Sequence, residues 1–508
     1  MFRLFGPPGT GKTTTLLNLV DKALAEGTPP HKIAFFAFTR KAASEAKERA
    51  SVRFGLDPKA DLPYFRTIHS LAFFLTGLKS DQLMTAAHYR EVENKIGISL
   101  VSGETRLHEV EEDLTNSLRK ESPILRLITL SRLKKTLLRH EYNFSDIEYN
   151  WLEVDYVARS LDQYKKEHNL FDYTDMLELF AKSAHETCPK FELAMIDEAQ
   201  DLSPLQWEIA HAIEKKSRQM YCAGDDDQAI YKWSGADVDH FINLPGSSEV
   251  LEQSYRVPSK IHELANRVCA RIVRRFPKNY LPKKEEGSVK RITGFEELDL
   301  REGTWLFLSQ AKFHLQGAHN FLKSQGYFYE YSGGKPSVRL KVRQALEAWR
   351  LLQAGKPVVF DLVKVLYSYM TGNGVRIARG HKKIIGEEDD TFTFEELRDH
   401  HGLLANREME WHEALDKIPG VDVAYVNALV RRGEDLTKEP RIKLSTIHGA
   451  KGGEAENVVL YTDLTVAAEE SMERDADSIH RVFYVAVTRS MRNLFIVEPE
   501  NFNRSYAL

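Results

Sequence analysis

Near the start of the chain, Gly6-Pro7-Pro8-Gly9-Thr10-Gly11-Lys12-Thr13 has the spacing G-x-x-x-x-G-K-[ST] without deviation. That spacing suits phosphate. Glycines let backbone N–H groups close around phosphate oxygens, and the N-terminus of the following helix adds favourable partial charge. Lys12 is expected to reach the β- and γ-phosphates, and Thr13 to bind Mg²⁺ through its hydroxyl; Thr14 completes the set as the helix begins. Far along the chain, Asp197 and Glu198 follow the apolar run Leu193-Ala194-Met195-Ile196. A carboxylate pair at a strand end suits a metal-bound nucleotide, with Asp197 on Mg²⁺ and Glu198 taking a proton from the attacking water. Alone, such a pair is more often a helix cap. The phosphate-binding pattern in the same chain turns the reading towards catalysis.

Groups so far apart in sequence need a scaffold. Short apolar runs alternate with helical stretches, the pattern of parallel α/β layers. Strands are expected at Phe2–Phe5, Ile33–Phe38, Leu193–Ile196, Met220–Ala223, Trp305–Leu308, Ile442–Ser445, Val458–Tyr461 and Leu494–Val497. Ligands in such sheets bind at the carboxyl ends of strands. Residues 77–170 and 346–437 look mainly helical and charged, and read as insertions into α/β cores. The chain's 508 residues allow roughly three to four domains. With 42% hydrophobic and 28% charged residues, its composition is that of an ordinary globular protein.

The net charge of −4 announces no nucleic-acid partner. Basic residues nevertheless cluster at Lys134, Lys135 and Arg139, and again at Arg271, Arg274, Arg275, Lys278, Lys283 and Lys284. Read alone, each cluster is a solvated face, although phosphate binding needs only a local positive groove. Cys188, Cys222 and Cys269 are too scattered for a disulfide framework or a zinc site, and are expected to be buried thiols. No apolar run approaches a membrane span, and Met1 to Gly6 does not read as a leader, so a cytoplasmic protein is expected.

The wider segments carry a resemblance. Asp197-Glu198-Ala199-Gln200-Asp201 and Gly224-Asp225-Asp226-Asp227-Gln228-Ala229-Ile230-Tyr231 resemble motifs II and III of UvrD/Rep-like superfamily 1 DNA helicases. Phe38 to Ala43 looks like motif Ia, Thr67 to Ser70 like Ib and Gln253-Ser254-Tyr255-Arg256 like IV. Ser445 to Gly452 looks like motif V, and Tyr484 to Arg489 like VI. The resemblance implies an α/β fold of two RecA-like parallel-sheet motor domains, each with a mainly helical insertion. Residues 1–76 and 171–253 would form the first core and 77–170 its insertion. Residues 254–345 and 438–508 would form the second core and 346–437 its insertion.

It also implies site residues. Gln228 would sense the γ-phosphate; Arg256 and Arg489, both from the second core, would act as arginine fingers. Tyr255 would stack on adenine and Glu454 would bond a ribose hydroxyl. Single-stranded DNA would stack on Phe38, Phe65, Tyr231 and Trp233. Thr39, Arg40, Thr67, His69, Thr446 and His448 would contact its backbone without reading sequence. Two departures stand out. Gly453 replaces a bulky apolar residue of the family, and the glutamine-bearing segment that reads adenine is missing before Gly6, so weak discrimination among nucleotides is expected.

The implied activity is an ATP- and Mg²⁺-dependent helicase moving 3′ to 5′ on single-stranded DNA and opening single-strand/duplex junctions. The polarity comes from the resemblance alone. A translocase that displaces proteins with little unwinding, or an ATP-switched DNA-binding module, are the alternatives. The sequence names no protein partner.

Overall fold

The computed structural model describes residues 1–101, 121–331 and 333–508. Part of the first expected insertion, 102–120, lies outside the described residues. The chain forms two compact units, residues 1–286 with 470–488, and residues 287–469 with 489–508.

The first unit is built on six strands: β1 (Phe2–Phe5), β2 (Ile33–Ala37), β3 (Phe65–Thr67), β4 (Phe191–Ile196), β5 (Ser217–Gly224) and β6 (Ser248–Val250). They lie in the order β3-β2-β4-β5-β1-β6, and every neighbouring pair is parallel. Both faces are covered, so the strands read as unbroken apolar runs rather than alternating ones. All five residues of β2 are buried. Ile33, Phe35 and Ala37 pack on one face with Leu16, Leu17 and Val20; Ala34 and Phe36 pack on the other with Met176, Leu177 and Phe180. Truncating a ring such as Phe36 at this depth removes about 3–5 kcal/mol. A fully parallel sheet brings the carboxyl ends of β1 to β6 to one edge, and the phosphate-loop, Asp197 and Asp225 segments all start there.

Residues 77–170 add helices, including Ala86–Ile96, Pro123–Leu133 and Trp151–His168. They bury their own core of Val92, Leu100, Ile124, Leu125, Val154, Val157 and Leu161.

The second unit has β7 (Ser288–Ile292), β8 (Trp305–Ser309), β9 (Tyr329–Tyr331), β10 (Lys335–Pro336), β13 (Ile442–Thr446), β14 (Ala455–Tyr461) and β15 (Ser490–Val497). Their order is β10-β9-β13-β8-β14-β15-β7, parallel except for β9 with β10. Between them lie the two-stranded β11 (Val358–Val359) and β12 (Thr391–Phe392) and the helices Leu340–Gln353, Phe360–Ser368 and Gly420–Arg432. These helices do not make a separate core. Trp349, Leu366, Leu397 and Leu429 share one apolar cluster with Trp305, Phe307, Ile442 and Leu444 of the sheet.

The units divide the chain differently from the expectation. The first continues to Glu286 and takes in the helix Ala476–Val487, so Tyr255 and Arg256 lie in the same unit as the phosphate loop.

Candidate nucleotide-binding site

The phosphate loop runs from the end of β1 into the helix Lys12–Ala25. Gly9 and Gly11 have left-handed φ values of 72° and 80°, which side-chain-bearing residues rarely adopt. At Gly9 there is a second constraint, because a Cβ there would overlap the Cβ of Arg256. The loop is braced by Thr10, whose hydroxyl donates to the Pro7 carbonyl at 2.8 Å. Lys12 Nζ donates to the Gly6 carbonyl at 2.9 Å and lies 3.6 Å from Glu198 Oε1. Thr13 Oγ1 donates to Asp197 Oδ2 at 2.7 Å. The parallel sheet thus joins two segments 184 residues apart. The hydroxyl and carboxylate oxygens together make a donor set suited to a hard divalent cation.

Burial and the neighbouring Glu198 carboxylate push the Asp197 pKa up, while Lys12 and Thr13 pull it down. Glu198 has φ 56°, a strained conformation for a residue with a side chain. Its two carboxylate oxygens face different partners: Oε1 faces Lys12, and Oε2 accepts from Gln200 Nε2 at 2.6 Å. Gln200, fully buried, also accepts from the Asp225 backbone N–H at 3.0 Å. It therefore ties the two acidic segments together. Gly224 permits this approach, since a Cβ there would meet Gln200 and Phe241. Gln228 follows Asp225 in a short turn and donates its amide to Asp225 Oδ2 at 2.7 Å.

The expectation that Arg256 comes from the second core is corrected. Ser254 Oγ donates to the Pro8 carbonyl at 2.7 Å, and the Tyr255 N–H donates to the Gly9 carbonyl at 2.9 Å. These bonds dock the segment on the phosphate loop within the first unit. Tyr255 stands 73% exposed beside that loop, a ring with an open face. In the second unit, Arg489 is buried and donates to the Gly453 carbonyl at 3.2 Å, while Glu454 is exposed.

The aromatic candidates separate by burial. Phe38 and Tyr231 stack with centroids 5.2 Å apart, and Trp233 meets Tyr231 edge-on at 6.3 Å. Phe38 and Trp233 are half-buried; Tyr231 is enclosed between them at 8% exposure. The stacking role expected for Phe65 is corrected: it is 3% exposed and stacks on Phe35 inside the core.

Among the polar candidates, Thr39 accepts from the Ala42 N–H and Thr67 from the Ser70 N–H, so both hydroxyls cap helices. Thr446 accepts from the Gly449 N–H. Arg40 and His448 are half-buried. His69 is half-buried as a residue, but its Nε2 is enclosed; burial, then Arg40, lowers its pKa to about 4. His69 is therefore neutral at pH 7.

Sequence reasoning missed Gln200 and Ser254, although both lie inside quoted motifs. It also left Arg275 and Lys278 on a solvated face. In the structure Lys278 is buried against Asp225, Asp226 and Asp227. Nothing in a run of basic residues tells which one turns inward. The three cysteines are buried and free, as expected. Among the described residues, no helix is long and apolar enough to cross a membrane.

Residues 3–248 match the family model for the UvrD/REP helicase N-terminal domain, and residues 422–501 match the UvrD-like helicase C-terminal domain. The chain is 27% identical over 301 residues to the ATP-dependent DNA helicase PcrA of Bacillus subtilis, covering 56% of this chain and 39% of the relative. It is 25% identical over 407 residues to a putative ATP-dependent DNA helicase, YjcD, of the same organism, covering 77% and 50%. A probable DNA helicase II homolog of Mycoplasma genitalium is 22% identical over 599 residues, covering 99% and 83%. The chain thus spans between about two fifths and half of the first two relatives.

Proposed function

This chain belongs to the UvrD/Rep helicase family, and from that membership we infer an ATP-dependent DNA helicase that moves 3′ to 5′ on single-stranded DNA and opens single-strand/duplex junctions. One observation carries the reading. The Lys12 ammonium, the Thr13 hydroxyl and the Asp197 and Glu198 carboxylates meet at one sheet edge, with Thr13 and Asp197 2.7 Å apart.

Bound ATP supplies the terminal phosphoryl group whose transfer to water drives the cycle. The residues of the loop bind and orient it. Gly6, Pro7, Pro8, Gly9, Thr10 and Gly11 offer backbone groups, and Lys12 offers its charge to the β- and γ-phosphates. Thr13 and Asp197 would hold Mg²⁺, which would offset phosphate charge when bound. Glu198, fixed by its strained backbone and by Gln200, orients and deprotonates the attacking water. Gln228 reports the terminal phosphate, and Tyr255 covers adenine with its exposed ring. Arg256, beside the loop, neutralises charge that develops during transfer; for Arg489 and Glu454 of the second unit the family resemblance alone supports an arginine-finger and a ribose role. Phe38 and Trp233 grip bases, with Tyr231 as their packing partner. Arg40 and His69, with the capping Thr39 and Thr67, line the backbone path in the first unit; for Thr446 and His448 of the second unit the family resemblance supports the same role. Such contacts recognise no sequence.

Unwinding of forked substrates tests this directly. ATP with Mg²⁺ is expected to drive strand separation of duplexes with a 3′ single-stranded tail and to leave 5′-tailed duplexes intact. Preference for the 5′ tail would overturn the polarity; no separation of either, with hydrolysis intact, would overturn the unwinding.

A further inference from the structure

Under the Gln228 turn, Asp225, Asp226 and Asp227 are almost wholly withdrawn from water, at 0%, 0% and 1% exposure. Three carboxylates at such depth need cations and N–H groups to answer them. Lys278 Nζ supplies one answer to all three, 3.1 Å from Asp225 Oδ1, 2.6 Å from Asp226 Oδ1 and 2.6 Å from Asp227 Oδ2. The convergence of these oxygens looks like a cation site, and the lysine ammonium occupies it. Burial works against charge on Lys278, but Asp225, Asp227 and Asp226 outweigh it and hold the proton more firmly than on a free lysine. Arg275 grips both oxygens of Asp227, Nε to Oδ1 at 2.8 Å and Nη2 to Oδ2 at 2.7 Å. The Phe276 N–H donates to Asp226 Oδ2 at 2.7 Å, and Arg481 Nε donates to the Asp226 carbonyl at 2.9 Å.

Asp225 divides its oxygens. Oδ1 faces Lys278 and accepts from the Asp227 N–H at 3.2 Å, while Oδ2 accepts from Gln228 Nε2 at 2.7 Å. A carboxylate held on one side cannot swing, so the group it holds on the other side cannot swing either. We propose that Lys278 is a positioning residue: by pinning Asp225 it fixes the orientation in which the Gln228 amide reads the terminal phosphate. This rests on the reading of Gln228 given above.

The test compares affinities of the full chain for a fluorescent non-hydrolysable ATP analogue and for fluorescent ADP, with thermal melts to verify folding. The dissociation constant for ADP divided by that for the analogue reports discrimination of the terminal phosphate. Gln228→Ala is expected to lower that ratio about tenfold, the effect of losing a hydrogen bond to a charged group. Lys278→Met should lower it similarly, Lys278→Arg should recover most of it, and the Gln228→Ala/Lys278→Met double variant should fall no further than either single. Where Lys278→Met does not fold, Asp225→Asn keeps the volume, removes the charge and should show the same loss. A lowered ratio in Gln228→Ala beside an unchanged one in folded Lys278→Met or Asp225→Asn overturns the proposal alone, as does an additive double variant. An unchanged ratio in Gln228→Ala removes the reading of Gln228 and the proposal with it.

Discussion

At Asp197 and its neighbours, burial sets the chemistry. A carboxylate facing bulk water would lie in the ordinary aspartate range; here burial and Glu198 lift it, and the Lys12 ammonium and Thr13 hydroxyl offset part of the rise. Burial also sorts the aromatic residues. Phe65 and Trp233 look alike in the sequence, each a ring beside a family motif with polar neighbours. The structure buries Phe65 on Phe35 and leaves Trp233 half-buried at the rim. Trp233→Ala is therefore expected to weaken single-stranded DNA affinity by about 1–3 kcal/mol, read by fluorescence anisotropy, with a smaller loss of folding stability than a fully buried ring would cause. Phe65→Ala is expected to show the opposite profile, losing about 3–5 kcal/mol of folding stability. Equal DNA affinity in Trp233→Ala and the unaltered chain would remove Trp233 from the track. Gln200 and Lys278 escaped sequence reasoning for a related reason. Their roles come from turning inward towards partners 25 and more residues away, and side-chain type carries no such information.

Long, covered strands were legible; edge strands and the three-residue β9 were not. The runs at Ile33, Leu193 and Trp305 have both faces covered, so their composition declares them; β2 and β8 are buried at every position. β3, β6 and β7 lie at sheet edges; β6 is short with no buried residue and β7 buries only Ile292, so these two carry no comparable apolar signal. The helices of residues 77–170 are fastened to the first core by charge as well as by packing. Arg132 reaches Asp172 at 2.8 Å, Asp175 at 2.5 Å and Glu178 at 3.0 Å, and Lys165 reaches Asp172 at 2.7 Å and Asp175 at 2.8 Å. Burial would raise the Asp172 pKa, but Arg132 and then Lys165 outweigh it and hold the carboxyl well below its ordinary range. A depressed carboxyl stabilises the fold above its unfolded pKa of about 4, and that contribution is lost as pH falls towards the folded value. Arg132→Met is accordingly expected to lose about 3 kcal/mol at pH 7 by chemical denaturation, and to lose less further stability between pH 5 and 3 than the unaltered chain. Equal stability of the two at pH 7 would contradict the fastening.

Across the whole molecule, two α/β units use different means to carry their helical additions. In the first, the addition buries a core of its own; in the second, sheet and added helices share one. That difference was beyond sequence reasoning, which read both additions as alike because both are charged and helical. The chain passes between units after Glu286, Glu469 and Thr488. The last passage divides a family motif, with Tyr484 in the helix Ala476–Val487 of the first unit and Arg489 at the start of the second unit's final segment. The central claim is that the phosphate loop hydrolyses ATP in response to a DNA strand. It is tested most directly by the steady-state ATPase rate, with and without single-stranded DNA, of the unaltered chain and of Lys12→Ala. The rate is expected to rise when DNA is added and to fall to background in Lys12→Ala whether or not DNA is present. A rate indifferent to DNA, or undiminished hydrolysis in Lys12→Ala, would contradict it.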